Sequence, residues 1–130
     1  MRLLIVGEDA HAESLAQALE SHDVVIERRD ADAIPAGDGE EIAQIAAAVR
    51  AFETLLSGAG PDALLLTSVS NVALAALLVA TKLEIPVAGT QSTAAEGDRS
   101  SEINRRLIDR LADTTLAAEP EAIMAWLRAT

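Results

Sequence analysis

The 130-residue chain predicts an α/β fold: a three-layer sandwich with a parallel sheet of about five strands, order 2-1-3-4-5, and helices on both faces. Three observations predict it. Short, almost wholly apolar runs recur along the chain, as expected of strands buried on both faces. Between them lie longer segments whose apolar residues return at three- and four-residue steps, the spacing of helices. Strand-like and helix-like segments alternate throughout, and such alternation builds a parallel sheet through right-handed crossovers.

The first strand is RLLIV, residues 2–6, ending at Gly7. Asp9 is placed to cap a helix over residues 10–21, with Leu15 and Leu19 on one face. DVVIE, residues 23–27, reads as the second strand. RRDADAIPAGDG, residues 28–39, reads as a loop, since it combines charge, Pro and Gly. Ile42, Ile45, Val49, Phe52 and Leu56 then mark one face of a long helix over residues 40–56, stopped by SGAGP.

DALLLT, residues 62–67, is the third strand. The helix over residues 71–83 is almost wholly apolar. It must therefore be covered on more than one side, by the sheet and by a further neighbour, a partner chain among the candidates. Residues 85–89 form a fourth strand, and residues 90–101 a small, polar loop. A charged helix follows over residues 102–112, a short fifth strand over 114–118 and a last helix over 120–128, with Pro120 in its first turn.

Composition narrows the function. Half the residues are apolar, which predicts one ordered domain, and no apolar run reaches the roughly 18 residues needed to span a bilayer. The start MRLLIVGED is too short in apolar residues for a secretory leader. The chain has no cysteine, which excludes disulfides and thiol catalysis and fits a cytoplasmic protein. A net charge of −11 disfavours nucleic acid and anionic membrane as partners. The basic clusters are Arg28-Arg29 and Arg105-Arg106, with Arg99 and Arg110 beside the second. Phe52 and Trp126 are the only aromatic residues, so no stacking platform for bases is available.

In an open parallel sheet, ligands bind beyond the carboxyl ends of the strands, where the strand order switches. The loops there would be Gly7-Glu8-Asp9, Ser68-Val69-Ser70-Asn71 and Thr90-Gln91-Ser92-Thr93. Their hydroxyls, amides and carboxylates suit a small polar ligand, and equally serve as helix caps and turn formers. Neither G-x-G-x-x-G nor G-x-x-x-x-G-K-[ST] is present, so no dinucleotide or nucleotide cofactor is expected. No ligand cluster for a metal stands out. His11 and His22 flank the first helix and read as surface residues. Asp98 and Glu102 form a carboxylate pair at a loop-to-helix junction, which fits acid–base work or service to the helix dipole. Glu102 with Arg106, and Arg105 with Asp109, are four apart, so ion pairs along the helix account for these charges.

The run IPV, then GDRSSEINRRLIDRLAD, then LAAEPEAI resembles the N-terminal domain of bacterial UDP-N-acetylglucosamine 2-epimerases. That family carries a strand ending in H-G-D-T, an alanine-rich helix, IPV, H-V-E-A-G-L-R and a D-R-S-x-P-E-E-I-N-R run. The similarity is good over residues 61–129 and in register, though weaker, over residues 1–19. It implies a Rossmann-like domain. It also implies an active site in the cleft with a second, UDP-binding domain for which 130 residues leave no room. A homodimer formed through the first domain follows from the same resemblance.

The resemblance also implies losses. In register with it, Val69 stands where the family has its aspartate and Gln91 where it has a glutamate, while Gly89 takes the place of the histidine before it. The run around Ser101 is two residues short. Glu102 is thus the only retained family carboxylate, and Asp9 and Ser14 stand in place of a cationic pair. Epimerisation in the family eliminates and re-adds UDP, which needs carboxylates to move protons and cations to hold diphosphate. No catalytic residue is therefore assigned. The expectation is a catalytically degenerate domain that binds a small polar ligand or a protein partner. The candidate contacts are Gly7, Glu8, Asp9, Ser68, Ser70, Asn71, Thr90, Gln91, Ser92, Asp98, Arg99, Glu102 and Arg105. A structural homodimer with a vestigial cleft, and a subunit of a split epimerase, are the alternatives.

Overall fold

The computed structural model describes residues 1–7, 10–20, 25–29, 41–58, 60–90 and 99–130. Five strands form one parallel sheet: β1 (Arg2–Val6), β2 (Val25–Arg29), β3 (Ala63–Leu66), β4 (Val87–Thr90) and β5 (Thr114–Leu116). Their order is β2-β1-β3-β4-β5, the order expected from the sequence. Among the described residues, five helices connect and cover them: α1 (Ala10–Leu19), α2 (Glu41–Leu56), α3 (Asn71–Lys82), α4 (Arg99–Leu111) and α5 (Pro120–Ala129).

The two cores follow from the alternation of side chains along a strand. Leu4 and Val6 of β1, with Leu64 and Leu66 of β3, face α2, α3 and α4. Leu3 and Ile5, with Ala63 and Leu65, face α1 and α5. β1 and β3 feed both layers, which is why Leu3 to Val6 and ALLL are apolar at every position. Phe52 is fully buried in the first core and Ile123 in the second.

Helix α3 lies between α2 and α4 on the sheet. Val72 to Leu77, Val79 and Ala80 are buried within the single chain. The further neighbour of this apolar helix is therefore intramolecular, and no partner chain is needed to cover it.

Several boundaries differ from the sequence reading; β5, for one, ends at Leu116, two residues before the predicted end. β2 runs to Arg29, two residues past the predicted strand, because the ladder pairs all of Arg2 to Val6 with Val25 to Arg29. Arg28 and Arg29 thus belong to an edge strand and not to the loop. β4 begins at Val87, two residues later than predicted, where its ladder with Leu64 starts. Helix α4 begins at Arg99, three residues before the predicted start. Among the described residues no helix is long and apolar enough to cross a membrane.

Candidate functional site

A cavity of about 270 Å³ opens where β3, β4 and β5 end and α4 crosses above them. Its walls include Ser68, Val69, Thr90, Arg105, Asp109 and Thr115. It sits over the β3–β4–β5 side of the sheet, one strand along from the switch between β1 and β3.

The turn after β3 is fixed by backbone and hydroxyl contacts. Thr67 donates its N–H to the Val6 carbonyl at 3.0 Å, which ties the ends of β1 and β3 together. The Ser70 hydroxyl caps α3 by accepting from the Ala73 N–H at 3.1 Å, and the Ser68 hydroxyl lies 3.3 Å from that of Ser70. Such a cap satisfies one of the N–H groups that a helix start leaves unpaired.

Helix α4 is held over this turn by Asn104, which is 5% exposed. Its Nδ2 donates to the Val69 carbonyl at 3.1 Å and to Asn71 Oδ1 at 2.8 Å. Asn71 Nδ2 in turn donates to Glu41 Oε1 and Gln44 Oε1, each at 3.3 Å. One polar chain thus links α4, α3 and α2. Closer to the sheet, a Cβ at Gly89 would stand 3.3 Å from Ile108 Cγ2, so glycine lets α4 lie directly on β4.

The rotation of α4 decides which charges meet the cavity. Asn104 and Ile108 are buried, half-buried Arg105 and exposed Asp109 border the cavity, and exposed Glu102 and Arg106 stand outside its walls. Glu102 and Arg106 form the expected ion pair at 2.8 Å. The expected Arg105–Asp109 pair is not made. Both line the cavity, and Arg105 Nε is buried without a hydrogen-bond partner among the described residues.

Of the candidates named from sequence, the structure brings Ser68, Thr90 and Arg105 together. Ser70 and Asn71 hold the turn and the helices, with Asn71's side chain spent on that network. Gly7 directly follows β1, and Arg99 is exposed at the start of α4, away from the cavity walls. Glu8, Asp9, Gln91, Ser92 and Asp98 lie outside the described residues. Sequence reasoning missed Asp109, Thr115 and the anchoring Asn104. Anchoring the helical period of α4 on Ile108 would have found Asn104 and Asp109, whereas Thr115, on β5, carries no such signal.

A second hollow, about 460 Å³, lies at the other end of the sheet beside Glu84, Asp113 and Trp126. It is larger, but its Asp113 carboxylate is engaged by the Val87 N–H at 2.7 Å, and it sits at the amino ends of the strands. The carboxyl-end cavity is the better site on the physical rule for parallel sheets. Among the described residues no group of His, Cys, Asp and Glu could hold a metal ion.

Comparison with solved structures gives the same fold. The chain is similar to a UDP-GlcNAc 2-epimerase from Methanocaldococcus jannaschii in complex with UDP-GlcNAc and UDP, at 25% identity and a TM-score of 0.77, covering 99% of this chain and 43% of that one. A second structure of the enzyme from that organism matches at 22% identity and 0.74, covering 99% and 42%. The enzyme from Neisseria meningitidis, bound to UDP-GlcNAc, matches at 16% identity and 0.76, covering 99% and 43%. The chain thus spans about two-fifths of the length of these structures. No curated protein gives a match. The family described as UDP-N-acetylglucosamine 2-epimerase matches over residues 1–128. With nearly every residue inside that match, the chain belongs to the UDP-N-acetylglucosamine 2-epimerase family.

Proposed function

We propose that this domain binds a small polar ligand in the cavity under α4 and does not epimerise sugar nucleotides. The observation that carries the reading is the chemistry of the cavity wall. Val69 lines it at the position where the family resemblance calls for an aspartate. An isopropyl group cannot move a proton. Glu102, the retained family carboxylate, is paired with Arg106 outside the cavity walls. At Gly89, where the resemblance calls for histidine, there is no side chain, and a Cβ would stand 3.3 Å from Ile108 Cγ2. What remains is a binding inventory: hydroxyls of Ser68, Thr90 and Thr115, the Arg105 guanidinium and one carboxylate, Asp109. A cytoplasmic setting belongs to the same reading, which a sequence without cysteine fits.

Proton NMR of the chain incubated with UDP-N-acetylglucosamine tests it. The spectrum is expected to stay that of the substrate. Release of UDP or appearance of the 2-epimer above the buffer control would end this reading.

A homodimer is the second reading, and one observation favours it. Ile103, Leu107 and Leu111 stand four apart on the outer face of α4, exposed at 43%, 38% and 41%. Such a stripe is the kind of surface a symmetric partner covers. Light scattering decides it: a monomer at high concentration refutes the dimer and leaves the ligand site untouched.

A further inference from the structure

The hollow of about 460 Å³ at the amino ends of the strands combines carboxylates with an aromatic wall. Glu84 and Asp113 border it, and none of its lining residues is Lys, Arg or His. Half-buried Trp126 supplies an indole, and Ile85, Pro86 and Leu111 supply apolar surface. The volume lies within the roughly 300–1,000 Å³ of small-molecule sites. The hollow stands at the opposite end of the sheet from the cavity under α4 and shares no wall residue with it.

Glu84 holds its place against a conformational preference. Helix α3 ends in a Schellman arrangement: the Ile85 N–H donates to the Ala80 carbonyl at 2.9 Å, and the Glu84 N–H to the Thr81 carbonyl at 3.3 Å. That closure sets Glu84 at a φ of 60°, in the left-handed region, and among the described residues it is the one non-glycine there. Glycine is the usual occupant, because it has no Cβ to crowd the backbone. A carboxylate kept in such a slot, on the wall of a hollow, points to use. Among the described residues it has no ion-pair partner. Asp113 is only partly engaged: its Oδ2 accepts the Val87 N–H at 2.7 Å. An ionised carboxylate accepts on both oxygens, so capacity remains for a ligand.

We propose that this hollow binds a small organic cation, an alkylammonium or alkylguanidinium. Its N–H groups would meet Glu84 and Asp113, and its alkyl stem the surface of Trp126, Ile85 and Pro86. Ionised carboxylates accept from charged N–H donors in the stronger class of hydrogen bonds. An indole attracts a cation through its ring quadrupole. The field of a chain with net charge −11 favours the approach of a cation. A quaternary ammonium has no N–H to donate, and one indole is not the aromatic cage that holds such groups. It therefore ranks below the N–H cations.

Trp126 is the only tryptophan, so its fluorescence reports the hollow directly. The chain is titrated with butylammonium, butylguanidinium, choline and butyrate at fixed ionic strength, which keeps general screening constant. Butylammonium or butylguanidinium is expected to give a saturable change. Choline should bind at least about fivefold more weakly, and butyrate should give no change. Glu84→Gln should weaken the cation by about tenfold. Asp113→Asn keeps an oxygen for the Val87 N–H, removes the charge and should weaken the cation as well. Glu84→Gly should also weaken it, yet unfold no earlier than the parent chain in a thermal melt, which separates lost binding from lost folding. Choline binding as tightly as butylammonium, or both charge variants binding like the parent, would overturn the role of the carboxylates and the proposal with it. No saturable change with either N–H cation would overturn it outright. Neither result bears on the cavity under α4.

Discussion

Replacing Asn104 by Leu tests how the site is assembled. Leucine keeps the approximate size of the side chain and removes both of its donors. Two hydrogen bonds go, at 3.1 Å to the Val69 carbonyl and 2.8 Å to Asn71 Oδ1. Each contributes about 0.5–1.5 kcal/mol net, and an acceptor left facing an apolar group costs about 1–3 kcal/mol. Val69 and Asn71 are only half-buried, so water can reach part of what is exposed. The expected loss is about 2–4 kcal/mol, a large share of the roughly 5–15 kcal/mol typical of a domain. Urea unfolding followed by circular dichroism measures it as a lower midpoint at unchanged slope. The double variant with Asn71→Leu should lose less than the sum of the two singles, by about 0.5–3 kcal/mol, because both remove the same bond. A change below about 0.5 kcal/mol for Asn104→Leu, or strict additivity with Asn71→Leu, would refute the network as the anchor of α4.

Three further outcomes follow from the same geometry. Arg105→Met removes a buried, unpartnered donor and keeps most of the stem, so it should raise stability by about 1 kcal/mol, read as a thermal midpoint about 3–5 °C higher. Ser70→Ala removes the α3 cap and should cost about 1 kcal/mol in urea unfolding. Glu102→Gln breaks only the surface pair with Arg106; it should change stability by less than about 0.5 kcal/mol and leave ligand binding in the cavity under α4 untouched in titration.

The sheet was legible because its signals agree at every level. Leu3 to Val6 and ALLL are apolar at each position, as strands between two helical layers must be, and the almost wholly apolar α3 announced a helix covered on several sides. The edges were less legible. Backbone pairing with β1, not side-chain pattern, carries β2 on through Arg28 and Arg29. The site was least legible because α4 offers two apolar alignments. Ile103, Leu107 and Leu111 form a regular stripe, yet the structure leaves that stripe exposed and buries Ile108 with Asn104. Sequence spacing allows Arg105–Asp109 and Glu102–Arg106 equally. Only the rotation of the helix makes one an ion pair and sets the other around a cavity. The run EINRRLIDRLAD therefore identifies the family, while the placement of its arginines had to come from the fold.

On the proposed reading, the cavity under α4 binds a small ligand at the carboxyl ends of β3, β4 and β5. Titration of the isotope-labelled chain with a hexose phosphate and a hexuronate, followed amide by amide in NMR, tests it most directly. The prediction is saturable shifts at Ser68, Val69, Thr90, Arg105 and Thr115, with Glu84 and Trp126 at the opposite end unmoved. Shifts confined to Glu84, Asp113 and Trp126, or no saturable shift with either ligand, would contradict it.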